Sequence, residues 1–302
     1  MELSNILHKY SLIPFINSKF KELTTYLMKF TAHNVLLDNG KKTMNDSQIL
    51  ISDSALWKSA EKTINYILPS TKTDRSRMSV VDLGCLEGGF TVEFARMGFN
   101  AIGIDARDEN IEKCNYVQTN LTLPNLKFEK DDARNVQNYG KFDITLCYGL
   151  LYHLDNPVDL LKSLSNCTTK MLLLHTHIAP ERDLRYDFET VNKYCIRPFQ
   201  YRFKSLRYRE NYGLSSITEN EGIRGRWYKE WNKNENREKV EKEVWASYNN
   251  HRSFWPLKKD LVSALKQVGF DTVFEQFDFT GDIFSHNASY YNNRSMFVAV
   301  KH

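Results

Sequence analysis

Val80–Ala95 reads VVDLGCLEGGFTVEFA, and the order of residue types in this stretch decides the fold. A short apolar run passes through Asp82 into a glycine-rich turn, and Gly89–Gly98 then carries an apolar face at helical spacing. The pattern predicts a strand, a tight turn and a helix. Such a turn brings backbone N–H groups and a helix N-terminus up to a bound ligand. Asp82 stands at the strand end, Gly84 permits the turn, and Gly88 and Gly89 place no side chain where a ligand must approach.

The same rhythm continues outward from this stretch. Asn100–Asp105 predicts a second strand, Asn110–Asn120 a helix, Leu126–Glu129 a third extended segment and Phe142–Tyr148 a buried strand. Asp155-Asn156-Pro157 opens a helix through Leu164, with proline suited to the first turn, and Met171–His175 is a fifth strand. Alternation of this kind builds a doubly wound parallel sheet, an α/β fold with helices on both faces. The rhythm stops near Ile178. It resumes with a helix over Leu257–Val268, closed by Gly269, and with extended segments Thr272–Phe277 and Ser295–Val300.

Residues 1–75 predict a helical extension, from the spacing of Ile6, Tyr10 and Ile13 and of Phe20, Leu23, Leu27 and Phe30. Between its helices, HNVLLDNGKKT holds the turn signal Asn39-Gly40, and the polar run Ser70–Ser79 reads as a connection. The expected organisation is this extension, a ligand-binding core over 76–177, an insertion over 178–256 and a C-terminal completion of the core over 257–302.

Composition bounds the function. The chain has 302 residues, 41% of them hydrophobic, enough to build a substantial core. A net charge of +4 does not by itself imply a polyanionic partner. Twelve Lys and Arg against seven Asp and Glu between Arg197 and Lys242 put the basic excess inside the insertion. There Arg197, Arg202, Arg207 and Arg209 interleave with Phe199, Tyr201, Phe203, Tyr208 and Tyr212, and Arg224 and Arg226 precede Trp227. Aromatics beside arginines suit sugar faces, phosphates or unstacked bases. A helix with aromatics turned to the core and charges outward fits the pattern equally.

Cys85, Cys114, Cys147, Cys167 and Cys195 lie far apart without a CxxC pair, which fits reduced thiols in a cytoplasmic protein. The N-terminal MELSNILHKYSLIPFINSKF makes a poor signal peptide, and no apolar run approaches the roughly 18 to 20 residues of a membrane helix. No membrane partner is expected.

Asp105 follows Asp82 by 23 residues at the end of the second strand, where a carboxylate accepts hydrogen bonds from ribose hydroxyls. Asp131-Asp132-Ala133 ends the third strand, where a carboxylate and a backbone N–H read an adenine edge, Asp132 being preferred over Asp131. Here the chain resembles the class I S-adenosylmethionine-dependent methyltransferases. DLGCLEGGF resembles their first motif, GID the ribose-binding acidic position and DDA the adenine-binding position. CYGLLYHLDNP, Cys147–Pro157, resembles the segment after strand four. The likeness covers Ser79–His177 and extends to Leu257–His302, which resembles the final helix and antiparallel hairpin of that fold.

The resemblance implies a seven-stranded Rossmann-like sheet and S-adenosylmethionine as cofactor. It implies cofactor contacts from Asp82, Gly84, Cys85, Glu87, Gly88, Asp105, Ala106, Asp132, Ala133 and Tyr148. Glu87 either lines the methionine end or points to solvent. One departure is Leu86, which stands where the usual pattern has its central glycine. A nicotinamide-binding domain would want GxGxxG, which Gly84, Gly88 and Gly89 do not supply.

Methyl transfer is an in-line displacement, so positioning and desolvation matter most, and a base is needed for a hydroxyl or protonated amine. His153, after the fourth strand, and His175 and His177, at the end of the fifth, are the candidate bases; His153 also fits a structural bridge before Asn156-Pro157. With no carboxylate partner identifiable for His175 and His177, no metal site is expected. The insertion over 178–256 is the expected acceptor-binding cap, and the expected acceptor is a small molecule, a sugar or nucleotide-linked metabolite methylated on oxygen. RNA is the alternative, because GLLYHLDNP and HNVLLDNGKKT also resemble segments of enzymes acting on the tRNA wobble uridine. A cofactor-binding protein without catalysis is a third reading, supported by Leu86.

Overall fold

The computed structural model describes residues 28–47, 49–68, 71–181, 214–243, 245–277 and 294–302. The periodic positions Ile6 to Leu27 and the arginine–aromatic run Arg197–Tyr212 lie outside these residues.

Five parallel strands follow the predicted rhythm: β1 (Ser79–Leu83), β2 (Asn100–Asp105), β3 (Leu126–Lys130), β4 (Phe142–Tyr148) and β5 (Thr168–His177). A separate antiparallel sheet is formed by β6 (Thr218–Asn220), β7 (Ile223–Lys229) and β8 (Arg252–Pro256). Then β10 (Arg294–Val300) pairs antiparallel with both β5 and β9 (Thr272–Gln276) to complete the main sheet. Its seven strands run in the order β3-β2-β1-β4-β5-β10-β9.

The helices are α1 (Ala55–Ile67), α2 (Lys72–Arg75), α3 (Gly89–Arg96), α4 (Asp108–Thr119), α5 (Pro157–Cys167), α6 (Arg237–Lys242) and α7 (Lys258–Gln267). Thus the polar connection Ser70–Ser79 contains a short helix, its first turn tied by the Thr71 and Asp74 side chains.

Successive strand residues point to opposite faces, and the core divides accordingly. Val80, Leu146 and Met296 pack with Trp57, Phe94 and Phe99 on one face. Val81, Cys147 and Phe297 pack with Leu161, Leu261 and Leu265 on the other. Near-continuous apolar strands are what a sheet covered on both sides requires. Ser54 caps α1 by accepting the Trp57 N–H, and the helix then buries Trp57, Ala60 and Ile64 at helical spacing.

β1 lies between β2 and β4, so the chain runs outward in opposite directions from this pair. That reversal opens a crevice beyond the carboxyl ends of the strands. Asp82 sits at its base, level with Gly103 on β2 and Leu146 on β4.

Of the arginines and aromatics that also fit a helical face, Arg224, Arg226 and Trp227 are described, and they lie on a strand. Three strands cross the insertion, with a short helix between the last two, and Arg224, Arg226 and Trp227 fasten the small sheet. Trp227 packs edge-on against Phe254 with the Arg252 guanidinium over its ring, Arg224 pairs with Asp260, and Arg226 donates to the Pro180 and Ser215 carbonyls. The Phe254 N–H on β8 donates to the Leu154 carbonyl and fastens this sheet to the core. No helix among the described residues is long and apolar enough to cross a membrane.

Candidate active site

A cavity of about 420 Å³ occupies the crevice, within the range that holds a cofactor-sized molecule. Asp82, Gly84, Asp105, Ala106, Asp132, Ala133 and Tyr148 line it, as do Leu86 and Asn110. Asp105 Oδ2 accepts the Leu86 N–H at 3.0 Å, and Oδ1 accepts the Arg107 N–H at 2.9 Å and the Asn110 Nδ2 at 3.0 Å. Burial pushes this carboxyl above its usual range against the pull of these donors. Asp82 is buried deeper. Desolvation raises its pKa to about 7, opposed by the Thr91 hydroxyl donating at 2.6 Å and reinforced by nearby Asp105. Asp132 caps the turn Ala133–Tyr139 and pairs with Arg134, whereas the neighbouring Asp131 serves Asn135 and Tyr139.

Three residues expected on the wall lie behind it. Cys85 is buried with its Sγ 3.9 Å from that of Cys114. Gly88 has φ 77°, and a Cβ there would stand 2.6 Å from the Phe128 ring, so its glycine serves packing beneath the loop. Glu87 neither lines the cavity nor meets solvent: it is fully buried. Its carboxylate accepts the N–H groups of Thr31, Ala32 and His33 at 2.8 to 3.0 Å and pairs with Lys113 at 3.2 Å. Burial alone would raise its pKa, but the three amides and Lys113 outweigh burial and hold it below the ordinary value.

Glu87 thereby fastens the segment that brings His33 to the cavity, a residue the sequence reading had placed only near a turn. His33 Nδ1 accepts the Gly89 N–H at 3.0 Å at the start of α3, which fixes the ring proton on Nε2. Its pKa falls to about 4 through desolvation, with Glu87 pulling weakly the other way. The signal available in the sequence was its position in HNVLLDNGKKT, ahead of the Asn39-Gly40 turn; its partner at Gly89 is 56 residues away.

The three candidate bases separate clearly. His175 lines the cavity, but burial and then the Arg294 charge lower its pKa to about 3. A base that weak is poorly matched to proton removal near neutrality. His177 is not on the wall. It stacks on Trp255 at 4.4 Å, and its Nε2 accepts from Arg294 at 2.9 Å. His153 does line the cavity, and its Nδ1 lies 3.0 Å from Oε1 of Glu230, a side chain only 2% exposed. A carboxylate oxygen only accepts, so Nδ1 carries a proton, and in the neutral ring Nε2 is the nitrogen with the lone pair. Nothing in the local sequence pairs His153 with a residue 77 positions later.

An arm over Trp245–Asn250 forms part of the wall. The Arg107 guanidinium, next to Asp105, donates to the carbonyls of Val240, Glu241, Glu243 and Ala246 at 2.6 to 3.1 Å. Asn249 reaches Asp132 at 3.2 Å, and Asn250 reaches the His153 carbonyl at 3.3 Å. No cluster of three or more metal-ligating side chains occurs among the described residues.

These residues fit S-adenosylmethionine. Asn110 lines the cavity with its Nδ2 committed to Asp105, and its buried Oδ1 has no hydrogen-bond partner among the described residues. A ribose hydroxyl beside Asp105 would satisfy that acceptor, and a buried polar atom otherwise costs about 1 to 3 kcal/mol. Comparison with known proteins agrees. Residues 74–228 match the family model described as a methyltransferase domain. Ubiquinone biosynthesis O-methyltransferase from Colwellia psychrerythraea is 28% identical over 90 residues, 29% of this chain and 36% of that protein. The tRNA U34 carboxymethyltransferase of Campylobacter lari is 28% identical over 134 residues, 42% of this chain and 45% of that protein. The chain thus spans less than half the length of these curated relatives. Among solved structures, the N-terminal domain of EvdMO1, crystallised in the presence of SAH and D-fucose, superposes with a TM-score of 0.60 at 17% identity. That match covers 94% of this chain and 96% of the other and establishes a shared fold. The strand order, the crevice at its reversal and the matched domain together place this chain in the class I S-adenosylmethionine-dependent methyltransferase family.

Proposed function

We propose that the protein methylates a hydroxyl oxygen of a small molecule, a sugar or nucleotide-linked metabolite being the first candidate. The observation that carries this reading is the His153–Glu230 pair on the wall of a cavity covered by the Trp245–Asn250 arm. S-adenosylmethionine, when bound, supplies an electrophilic methyl group. Asp105, Asn110, Asp132 and Ala133 bind and orient its nucleoside, and the arm excludes water. His153 Nε2 takes the proton of the acceptor hydroxyl as the oxygen becomes nucleophilic, and Glu230 holds the ring for that transfer. The relatives named as O-methyltransferases support oxygen as the methylated atom.

The test is methyl transfer from labelled S-adenosylmethionine to a panel of hydroxylated sugars and nucleotide sugars. With an acceptor in hand, His153→Ala should lower turnover by about 10² to 10⁴-fold, the usual worth of a general base. Cofactor affinity by calorimetry should change little. Normal turnover in folded His153→Ala removes His153 from the chemistry. The relatives that carry tRNA U34 in their names favour a second reading, with RNA as acceptor. Binding to bulk tRNA that is tight and falls steeply with salt would establish it, because phosphate contacts release counterions.

A further inference from the structure

We infer that Glu230 is a positioning residue that makes the orientation of His153 depend on the Trp245–Asn250 arm; this rests on reading His153 as the base. Glu230 follows β7, and its side chain is almost fully buried. Its Oε1 accepts from His153 Nδ1 at 3.0 Å and from the Ser253 hydroxyl on β8 at 2.7 Å. Its Oε2 accepts the Ser247 N–H at 3.1 Å, and Ser247 belongs to the arm. One carboxylate therefore joins the turn that carries His153, the small sheet and the arm.

The arm is also tied to the cofactor side. The Trp231 indole N–H donates to the Ser247 carbonyl at 3.2 Å, and the Ser247 hydroxyl accepts the Asn250 N–H at 3.1 Å. Farther along, Asn249 meets Asp132, and Arg107 beside Asp105 holds the Ala246 carbonyl. Both oxygens of Glu230 are used while the arm is in place. When the arm lifts, Oε2 loses its amide, the carboxylate gains water, and its fixed aim at His153 Nδ1 is lost. The ring is then free to take the Nε2–H tautomer, which has no lone pair for an acceptor proton at that nitrogen. His153 is thus competent only under a closed arm, so the base is assembled together with the covered cofactor site.

The experiment is long-range ¹⁵N–¹H NMR on full-length protein labelled at histidine and bound to S-adenosylhomocysteine, which needs no acceptor. His153 resonances are assigned by their loss in His153→Gln. In the parent, Nδ1 should be protonated and Nε2 unprotonated. Glu230→Ala should move the proton to Nε2. The isosteric Glu230→Gln, safer for folding, offers one acceptor oxygen where two are required, so it should release either His153 or the Ser247 amide. Release of Ser247 would register as faster hydrogen exchange over 245–250. Arg107→Ala loosens the arm without touching either partner and should also erode the Nδ1–H signal. An Nε2–H tautomer in the parent, or an unchanged tautomer in Glu230→Ala, overturns the positioning role. Faster exchange of the arm in Arg107→Ala with His153 unaltered overturns the coupling. Failure of the base reading is distinguishable: His153→Ala would then keep its turnover while the tautomer still followed Glu230.

Discussion

Leu86 has φ 54°, a left-handed conformation at the one position where the glycine-rich pattern lacks its glycine. For a non-glycine residue that conformation costs about 1 to 2 kcal/mol. Its N–H is held by Asp105 Oδ2 at 3.0 Å, and its carbonyl accepts the Cys114 thiol, so the surroundings over-determine the turn. The loop keeps its shape through these bonds, which is why a leucine there does not argue against a ligand site. Leu86→Gly should relieve the strain but enlarge the freedom of the unfolded chain by a comparable amount. Stability is expected within about 1 kcal/mol of the parent. Gly88→Ala should behave differently, since a methyl group at φ 77° would press on the Phe128 ring. Its cost should be about 2 to 4 kcal/mol, from left-handed strain plus overpacking. Urea unfolding of both variants checks this; a costly Leu86→Gly beside a tolerated Gly88→Ala would show that the Leu86 side chain holds the loop.

Arg107 shows why elements were easier to read than their junctions. The strand–turn–helix periods of the core are local, and β2 and β4 begin and end where the alternation placed them. Asp82 and Asp105 were legible for the same reason, as strand-end carboxylates flanking a glycine turn. Arg107 gave no such signal, because the four carbonyls it grips come at least 133 residues later. Three residues expected at the cofactor lie behind the cavity wall for a related reason: Cys85, Glu87 and Gly88 sit inside a matching motif, but the motif fixes the loop from behind as well as from the ligand side. At Arg107 one planar guanidinium satisfies the C-terminal carbonyls of α6 and the start of the arm. Arg107→Lys keeps a charge but replaces the fork with a compact ammonium of three donors, too few for four carbonyls. Amide exchange over 240–250 should quicken, and S-adenosylhomocysteine should dissociate faster by about tenfold, equivalent to one hydrogen bond of about 1.4 kcal/mol. Unchanged exchange and release would mean that the bonds of the arm to Glu230, Trp231, Asp132 and His153 hold it without Arg107.

Across the whole molecule, the doubly wound parallel sheet was legible because strand and helix alternate in short local segments, whereas the small sheet was not. Its strands take their aromatics and arginines from a stretch that also fits a helical face, and only pairing of β7 with β8 across more than twenty residues resolves it. The folded core buries titratable groups of opposite tendency around one cavity. His33 and His175 have pKa values lowered to about 4 and about 3, chiefly by desolvation. The histidines therefore contribute stability that is present above their unfolded value of 6.5 and lost as pH falls through their folded values. Asp82 works in the opposite sense. Its folded pKa of about 7 lies above the unfolded 3.8, so its contribution is full below 3.8 and is lost as pH rises through 7. Asp82→Asn keeps an oxygen for the Thr91 hydroxyl and removes only the titration. Comparing the two proteins cancels every other ionisation. The unfolding free energy of Asp82→Asn minus that of the parent should rise by about 1.4 kcal/mol per pH unit between about pH 4 and 7, one proton's worth of linkage. Above that window the difference should level off. Equilibrium urea unfolding across this range, without cofactor, measures it directly; parallel curves would mean that Asp82 is already ionised in the folded protein at pH 4.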